Sequence, residues 1–281
     1  MTPLGTVGAC DTRFVNWISN KQPMTSCAVV IPIYRERLSP DEAYSVRVSL
    51  TNLAGHDVFW IGPQSLDTSY YEQNFPVRLI KRYEDRYFSS VEGYSSLLVQ
   101  ESFYEDFSTY GHVLICQTDA VVLKPGLREW LDGPYDYVGA PWPSGYSLQL
   151  QVPEIQVQGS IRSTAFVGNG GLSLRRVESC ISLIREFKSV SSEWASRGHA
   201  EDLYFGFLGN LSRRFVMPNI VTAAHFSHDI DPGYLQQLIG GALPLGVHAW
   251  GKYDRNLWER IFSKLPEGGP PTPELSKAKV A

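Results

Sequence analysis

The sequence predicts a single α/β domain built on an open, mostly parallel sheet, and three observations carry that prediction. Short apolar, β-branched runs recur at 28–33, 57–62 and His112–Cys116. A capped helix pattern separates the first two. Polar residues follow the first and last of these runs immediately, as Tyr34-Arg35-Glu36-Arg37 and Gln117-Thr118-Asp119.

Residues 28–33 read as a strand buried on both faces, because apolar side chains run without alternation. Ser39-Pro40-Asp41-Glu42 is a helix start, with Ser39 as cap, Pro40 at the first position and acids in the first turn. Val46, Leu50 and Leu53 supply its apolar face and Gly55 ends it. Strand, helix and strand in about 35 residues make one βαβ unit, which sets the two strands parallel. A third strand is expected over 77–80, a helix over 91–107 that turns Leu97, Leu98, Phe103, Tyr104 and Phe107 inward, and a fourth strand over His112–Cys116. Ligands of open α/β sheets collect outside the carboxyl ends of the strands, so the polar residues after the first and fourth should face one crevice. From 125 to 153 Pro, Gly and Trp are dense, and short strands such as 135–138 are expected to alternate with turns. Helices are expected over 177–188 and 200–208.

Composition excludes several function classes. The chain has 281 residues, 43% hydrophobic and 19% charged, with formal charge −4. That suits a folded domain, and basic residues cluster only in pairs, so nucleic acid is not an expected partner. No CxxC or CxxH spacing joins Cys10, Cys27, Cys116 and Cys180, which read as reduced thiols of a cytoplasmic protein. No stretch reaches the roughly 20 apolar residues that span a bilayer, so membrane contact would be peripheral, through exposed members of the 35 aromatic residues. Residues 1–22 read as a loose leader and 265–281 as a mobile tail around a domain over 23–264.

Four segments carry chemistry. An acid directly after a buried strand, Asp119, must be exposed, hydrogen-bonded or bound to a cation; a turn or cap role is the plainer alternative. Gly246-Val247-His248-Ala249-Trp250-Gly251-Lys252 is a loop that can aim an imidazole and an ammonium inward, with His225 and His228 as rival ligands. Asn169-Gly170-Gly171 is a place where backbone can approach a ligand closely, or simply a hairpin turn. Glu201-Asp202 lies at a helix start, where the helix dipole favours acids in any case, yet a carboxylate there could deprotonate a hydroxyl.

The segments PIYRE, ICQTDAVVL, YDYVGAPW, VGNGGLSLR, EDLYF and GVHAWGKY, in this order, resemble a bacterial glycosyltransferase-like family of the DUF5672 type, within the GT-A class. The resemblance implies a GT-A, Rossmann-like mixed sheet flanked by helices, with a nucleotide-binding half over 27–123 and an acceptor half over 124–264. It implies a nucleotide-sugar donor, UDP being the usual nucleotide, and a glycan or glycolipid acceptor, as in polysaccharide biosynthesis. Gln117-Thr118-Asp119 stands where GT-A enzymes carry a DxD metal motif, with its last acid alone present. His248 and Lys252 are similar to the histidine and lysine of the family-8 C-terminal signature, which implies Mn²⁺ or Mg²⁺ held by Asp119 and His248 and a diphosphate touched by Lys252. Pro32, Tyr34, Arg35, Glu36, Gln117 and Thr118 then line the donor site, and Trp142, Asn169, Gly170 and Gly171 the sugar and acceptor pocket, Trp142 by stacking on a sugar ring. Asp202 is the expected base of an inverting reaction, with Glu201 in reserve. A metal-independent variant, a non-catalytic sugar- or nucleotide-binding module and a nucleotidyltransferase are the alternatives.

Overall fold

The computed structural model describes residues 26–77, 79–155, 159–266 and 269. The leader expected over 1–22 and nearly all of the tail lie outside the described residues. The chain begins with β1 (Cys27–Pro32), α1 (Pro40–Asn52), β2 (Asp57–Pro63), α2 (Ser69–Asn74) and β3 (Leu79–Tyr83), then a 3₁₀ turn over Asp85–Phe88. Next come α3 (Val91–Leu98), α4 (Glu101–Glu105), β4 (His112–Cys116), β5 (Val121–Val122) and α5 (Leu127–Leu131). Two long strands, β6 (Tyr137–Leu150) and β7 (Ile161–Arg176), precede α6 (Val177–Glu186), α7 (Lys188–Arg197), α8 (Glu201–Leu211) and α9 (Ile220–Phe226). The described chain closes with β8 (Ser227–His228), α10 (Pro232–Leu238), β9 (Gly246–Val247) and α11 (Arg255–Phe262).

The main sheet runs β3-β2-β1-β4-β7-β6. Its first four strands are parallel, β7 runs antiparallel to β4, and β6 runs antiparallel to β7. A mixed α/β domain on a mostly parallel sheet is therefore what the chain forms. One sheet face packs under α3, α4, α6, α7 and α8, with Phe103, Phe107, Tyr137, Phe205 and Phe187 at its centre. The other face buries Trp60, Tyr71, Leu114 and Leu172 under α1 and α2. A second sheet, β5-β9-β8, joins α1 and α11 through Tyr44, Val247, Trp250, Trp258 and Phe262.

The βαβ unit stands as the sequence predicts, down to the cap. Ser39 Oγ accepts from the Glu42 amide while the Glu42 carboxylate accepts from the Ser39 amide at 2.8 Å, a reciprocal capping box. Three expectations need correction. The helix expected over 91–107 is two helices, because Gln100 is extended and its side-chain amide donates to Tyr87 Oη (2.9 Å) and the Ser96 carbonyl (3.2 Å) instead of continuing the turn. The strand expected over 135–138 extends to 14 residues as β6, since pairing with β7 continues through several register shifts. Asn169-Gly170-Gly171 is no hairpin turn but the interior of β7.

This register places the site. Cys116 at the end of β4 pairs with Leu172, and the Gln117 amide donates to the Gly171 carbonyl at 2.9 Å. The amino-terminal half of β7, with its β6 partner, therefore rises past the carboxyl ends of the parallel strands and walls one side of the crevice there.

Candidate functional site

Two hollows of 370 and 340 Å³ flank Asp119 above the parallel strands. Pro32, Gln117, Thr118, Phe88, Val91 and Tyr94 line the first; Arg35, Ser39, Asp41, Gly251 and Lys252 line the second. Tyr34, Glu42 and Asp119 belong to both. The two hollows are lobes of one crevice, as the strand-end rule requires. Glu42, which the sequence marks only as a helix-start acid, ties its floor together: its Oε1 accepts from Thr118 Oγ1 at 2.8 Å and from Arg35 at 2.5 Å. The Arg35 side chain remains 51% exposed in the second lobe.

His248 lies in the same crevice. Its Nε2 is 3.0 Å from Gln117 Oε1 and 3.3 Å from Asp119 Oδ1, and its Nδ1 donates to Asp229 Oδ2 at 2.7 Å. Burial disfavours the imidazolium, but the hydrogen bonds to Asp119 and Asp229 outweigh it and push His248 up to about 10. Burial likewise opposes ionisation of Asp119, while the His248 hydrogen bond and charge hold it below the usual carboxylate range. The loop that presents His248 and Lys252 is pinned from beneath. Trp250 is buried between α1 and α11, edge-on to Tyr44 and Phe262, and its Nε1 donates to Ser45 Oγ at 2.9 Å. Between these anchors Ala249 takes a left-handed φ of 50°, a conformation that costs an ordinary residue about 1–2 kcal/mol. Lys252 is held above its ordinary range by its hydrogen bond and attraction to Tyr253, with Asp229 and Asp119 adding to it.

Across β7 stands the first turn of α8. Glu201 is engaged: Arg175 Nη2 donates to its Oε1 at 3.0 Å and Ser95 Oγ to its Oε2 at 3.1 Å. Asp202 is partly buried and accepts from the Leu203 amide at 2.7 Å, with the Gly170 backbone also in hydrogen-bonding position. Burial, then the Glu201 charge, push Asp202 up to about 7 against the pull of the Leu203 amide and Arg175. Two adjacent glycines connect the walls. A Cβ on Gly170 would lie 3.3 Å from the Asp202 Cβ, and one on Gly171 would overlap the His248 ring. Asp202 and His248 thus meet β7 at consecutive residues, positions that face opposite sides of an extended strand.

The donors can be tested against a divalent ion. Among the described residues no three His, Cys, Asp or Glu side chains gather as a metal set. Asp119 and His248 offer a carboxylate and an imidazole, and Gln117 adds a neutral amide oxygen. Their spacings of 3.0 and 3.3 Å suit adjacent positions on an octahedral ion with bonds of about 2.1 Å. Asp229 on Nδ1 is the outer carboxylate that fixes the ring with Nε2 towards the ion. These residues can take Mn²⁺ or Mg²⁺ if His248 releases the Nε2 proton that it shares with Gln117 and Asp119, the remaining positions falling to ligand oxygens and water.

Most expected site residues are thus gathered around the crevice, namely Pro32, Tyr34, Arg35, Gln117, Thr118, Asp119, His248 and Lys252, while Asp202 packs on Gly170 of β7, next to the Gly171 that His248 covers. Three fall elsewhere. Trp142 is 3% exposed and packs on Gly168 and Gly206, so it supports β7 and offers no ring face to a sugar. Glu36 turns into a separate groove with Asp67 and Tyr70. Asn169 is spent locally, its Oδ1 accepting from the Gly171 amide at 3.2 Å. The rival ligands separate too: His225 is exposed on α9, and buried His228 packs against Trp258. Asp229, next to His228, is with Glu42 a site residue that sequence reasoning missed; an acid beside a candidate histidine was the available signal.

Residues 78–248 match the family described as protein of unknown function (DUF5672). The chain belongs to this family. No curated protein sequence matches it. Among solved structures, the galactosyltransferase LgtC in complex with donor and acceptor sugar analogues is similar in fold, with TM-score 0.50 at 12% identity over 89% of this chain and 99% of that one. The apo-form glycosyltransferase GlyE of Streptococcus pneumoniae TIGR4 has TM-score 0.49 at 15% identity over 84% of this chain, which spans 60% of GlyE. This DUF5672 member has the GT-A glycosyltransferase fold. Among its described residues no helix is long and apolar enough to cross a membrane.

Proposed function

We propose that this protein is a hexosyltransferase that moves a sugar from a nucleotide-sugar donor, with UDP as nucleotide, to a hydroxyl of a glycan or glycolipid acceptor, with inversion. One observation carries the reading: Asp119, Gln117 and His248 meet at the carboxyl ends of parallel strands, and Asp202, its carboxyl pushed up to about 7, packs on Gly170, the residue before the Gly171 that His248 covers. Breaking the sugar–phosphate bond puts negative charge on the departing diphosphate, and the incoming hydroxyl must lose its proton. Asp119, His248 and Gln117 would hold Mn²⁺ or Mg²⁺, which supplies Lewis-acid charge to the diphosphate when bound. Lys252 and Arg35 add cationic charge from the second lobe. Asp202 takes the proton of the attacking hydroxyl, the general-base role that contributes about 10²–10⁴ in rate. Residues 27–123 would bind the nucleotide and 124–264 the acceptor.

Gln117, in place of an acid, favours one variation: a site weaker for metal, in which Lys252 and Arg35 carry more of the neutralisation. The test is a panel of UDP-, GDP-, CMP- and dTDP-sugars, with and without Mn²⁺, read by thermal shift and by release of nucleoside diphosphate. Stabilisation and turnover with one UDP-sugar are expected. Binding without turnover would make the protein a binding module, and release of pyrophosphate from a nucleoside triphosphate and a sugar phosphate would make it a nucleotidyltransferase.

A further inference from the structure

Behind Asp202 lies a charged cluster that the proposed reaction leaves unused. The Arg175 side chain is 0% exposed, and every arm of it is occupied. Nε donates to Ser173 Oγ at 3.0 Å, Nη1 to Tyr104 Oη at 3.1 Å and Nη2 to Glu201 Oε1 at 3.0 Å. Its guanidinium lies 5.2 Å from the ring centroids of both Tyr137 and Phe205. Ser173 Oγ in turn donates to the Gly170 carbonyl at 2.9 Å, and Ser95 on α3 closes the other Glu201 oxygen. The network thus ties β7, α3, α4 and α8 together at the one place where α8 starts. A buried ion pair is a poor source of stability, because well-packed apolar residues of similar volume often serve as well or better. Its position therefore asks for another explanation, and Gly170 supplies one. A Cβ there would meet Glu201 Oε1 at 2.5 Å, Arg175 Nη2 at 3.1 Å and the Asp202 Cβ at 3.3 Å, so pair, strand and acid are mutually in contact.

We infer that the Arg175–Glu201 pair is the positioning element for Asp202: it clamps the first turn of α8 onto β7 and keeps a second negative charge beside the Asp202 carboxylate. The inference rests on the reading of Asp202 as the base. The titratable groups around it are Glu201 on its own helix, Arg175 on β7, Tyr137 on β6 and Tyr94 on α3, whose buried Oη has no hydrogen-bond partner among the described residues. Both tyrosines are pushed up by burial, so the charged side chains beside Asp202 are those of the Arg175–Glu201 ion pair. The guanidinium fork sets where the anion sits, which an unpaired glutamate would not.

The experiment follows Asp202 directly in the full chain labelled with ¹³C-carboxyl aspartate, its resonance assigned by its loss in Asp202→Asn. Glu201→Gln is expected to lower the Asp202 midpoint by about one pH unit, whereas Glu201→Asp, which keeps the charge, leaves it near the wild-type value. The apolar exchange Arg175→Met with Glu201→Leu is expected to fold, to bind UDP within about twofold of wild type, and to slow transfer from the UDP-sugar that wild type uses about tenfold or more at unchanged KM. An unmoved Asp202 midpoint in folded Glu201→Gln, or wild-type transfer by the apolar pair, overturns the inference. Should the apolar pair not fold, the Glu201→Gln titration decides alone. Should wild type transfer no sugar, the glycosyltransferase reading falls, and the titration still decides what the pair does to Asp202.

Discussion

The two walls of the crevice are built by opposite means. On the parallel side, β1, β4 and α1 keep ordinary geometry, and their functional groups are displaced from the strand ends by one to three residues: Tyr34 and Arg35 after β1, Gln117, Thr118 and Asp119 after β4. On the antiparallel side, β7 is bulged against β6 and carries consecutive glycines, so that a helix and a distant loop press directly on its backbone. Regular strand ends present side chains to solvent. A side-chain-free stretch instead lets two foreign side chains, Asp202 at Gly170 and His248 at Gly171, pack directly on the strand. Under the proposed function nucleotide binding falls to the regular wall and proton removal to Asp202 on the glycine wall, and each role can be broken separately.

The largest effect is expected from Asp202→Asn. Transfer should fall by about 10²–10⁴ while the affinity for the nucleotide-sugar, measured by calorimetry, stays close to wild type. Equal loss of both would erase the division between the walls.

The same carboxyl makes a claim on pH. Asp202 in the folded protein is pushed up to about 7, well above the value near 3.8 from which it starts. Above about pH 4 the folded state therefore holds a proton that the unfolded chain has released, so stability falls as pH rises from about 4 towards 7 and the loss is complete above about 7. The carboxamide that replaces this group in Asp202→Asn cannot ionise. The variant should thus be more stable than wild type at about pH 8, with the gap closing on acidification to about pH 4, as read by denaturant unfolding. Activity should run the other way, rising through an apparent midpoint close to about 7 as the base loses its proton.

Two substitutions sharpen the boundary between the walls. Gly171→Ala would drive a methyl into the His248 ring, so Mn²⁺-dependent UDP binding should drop, whereas Gly233→Ala on α10, with nothing within 4 Å, should leave binding unchanged. Asp229→Asn removes the carboxylate that orients His248 from behind, and outer carboxylates of this kind are worth about 10–100-fold in metal affinity. Titration of Mn²⁺ into the UDP complex measures both.

The regular wall was legible because its signals are local. Ser39 and Glu42 cap α1 by contacts three residues apart, and continuous apolar runs identify β1 and β4 without knowledge of their neighbours. The glycine wall was legible only as motifs. Asn169-Gly170-Gly171 has the composition of a turn, and what keeps it extended is the pairing of Asn169 with Ala140 of β6, the Gln117 amide on the Gly171 carbonyl and the pressure of α8, all remote in sequence. Trp142 has the composition of a sugar platform, yet its ring fills the space above Gly168. Asp229 contacts a histidine 19 residues away, a separation at which no local pattern operates.

The smallest effects are expected from neighbours on the loop after β1, and they test whether the regular wall works by side-chain direction. Arg35 is fixed from two sides, its guanidinium by Glu42 and its carbonyl by Tyr71 Oη at 2.5 Å, and it lines the lobe that also holds Lys252. Glu36 is the next residue but lines the groove of Asp67 and Tyr70. Half-exposed charges contribute modestly, so Arg35→Ala should weaken UDP binding by about 2–10-fold, less so as added salt screens the contact. Loss of the guanidinium also leaves the Glu42 carboxylate uncompensated beside the diphosphate, which acts in the same direction. Glu36→Ala should leave UDP affinity unchanged at every ionic strength. An equal response from both residues would mean that the loop acts through its overall charge, and the regular wall would then owe its selectivity to Asp119 alone.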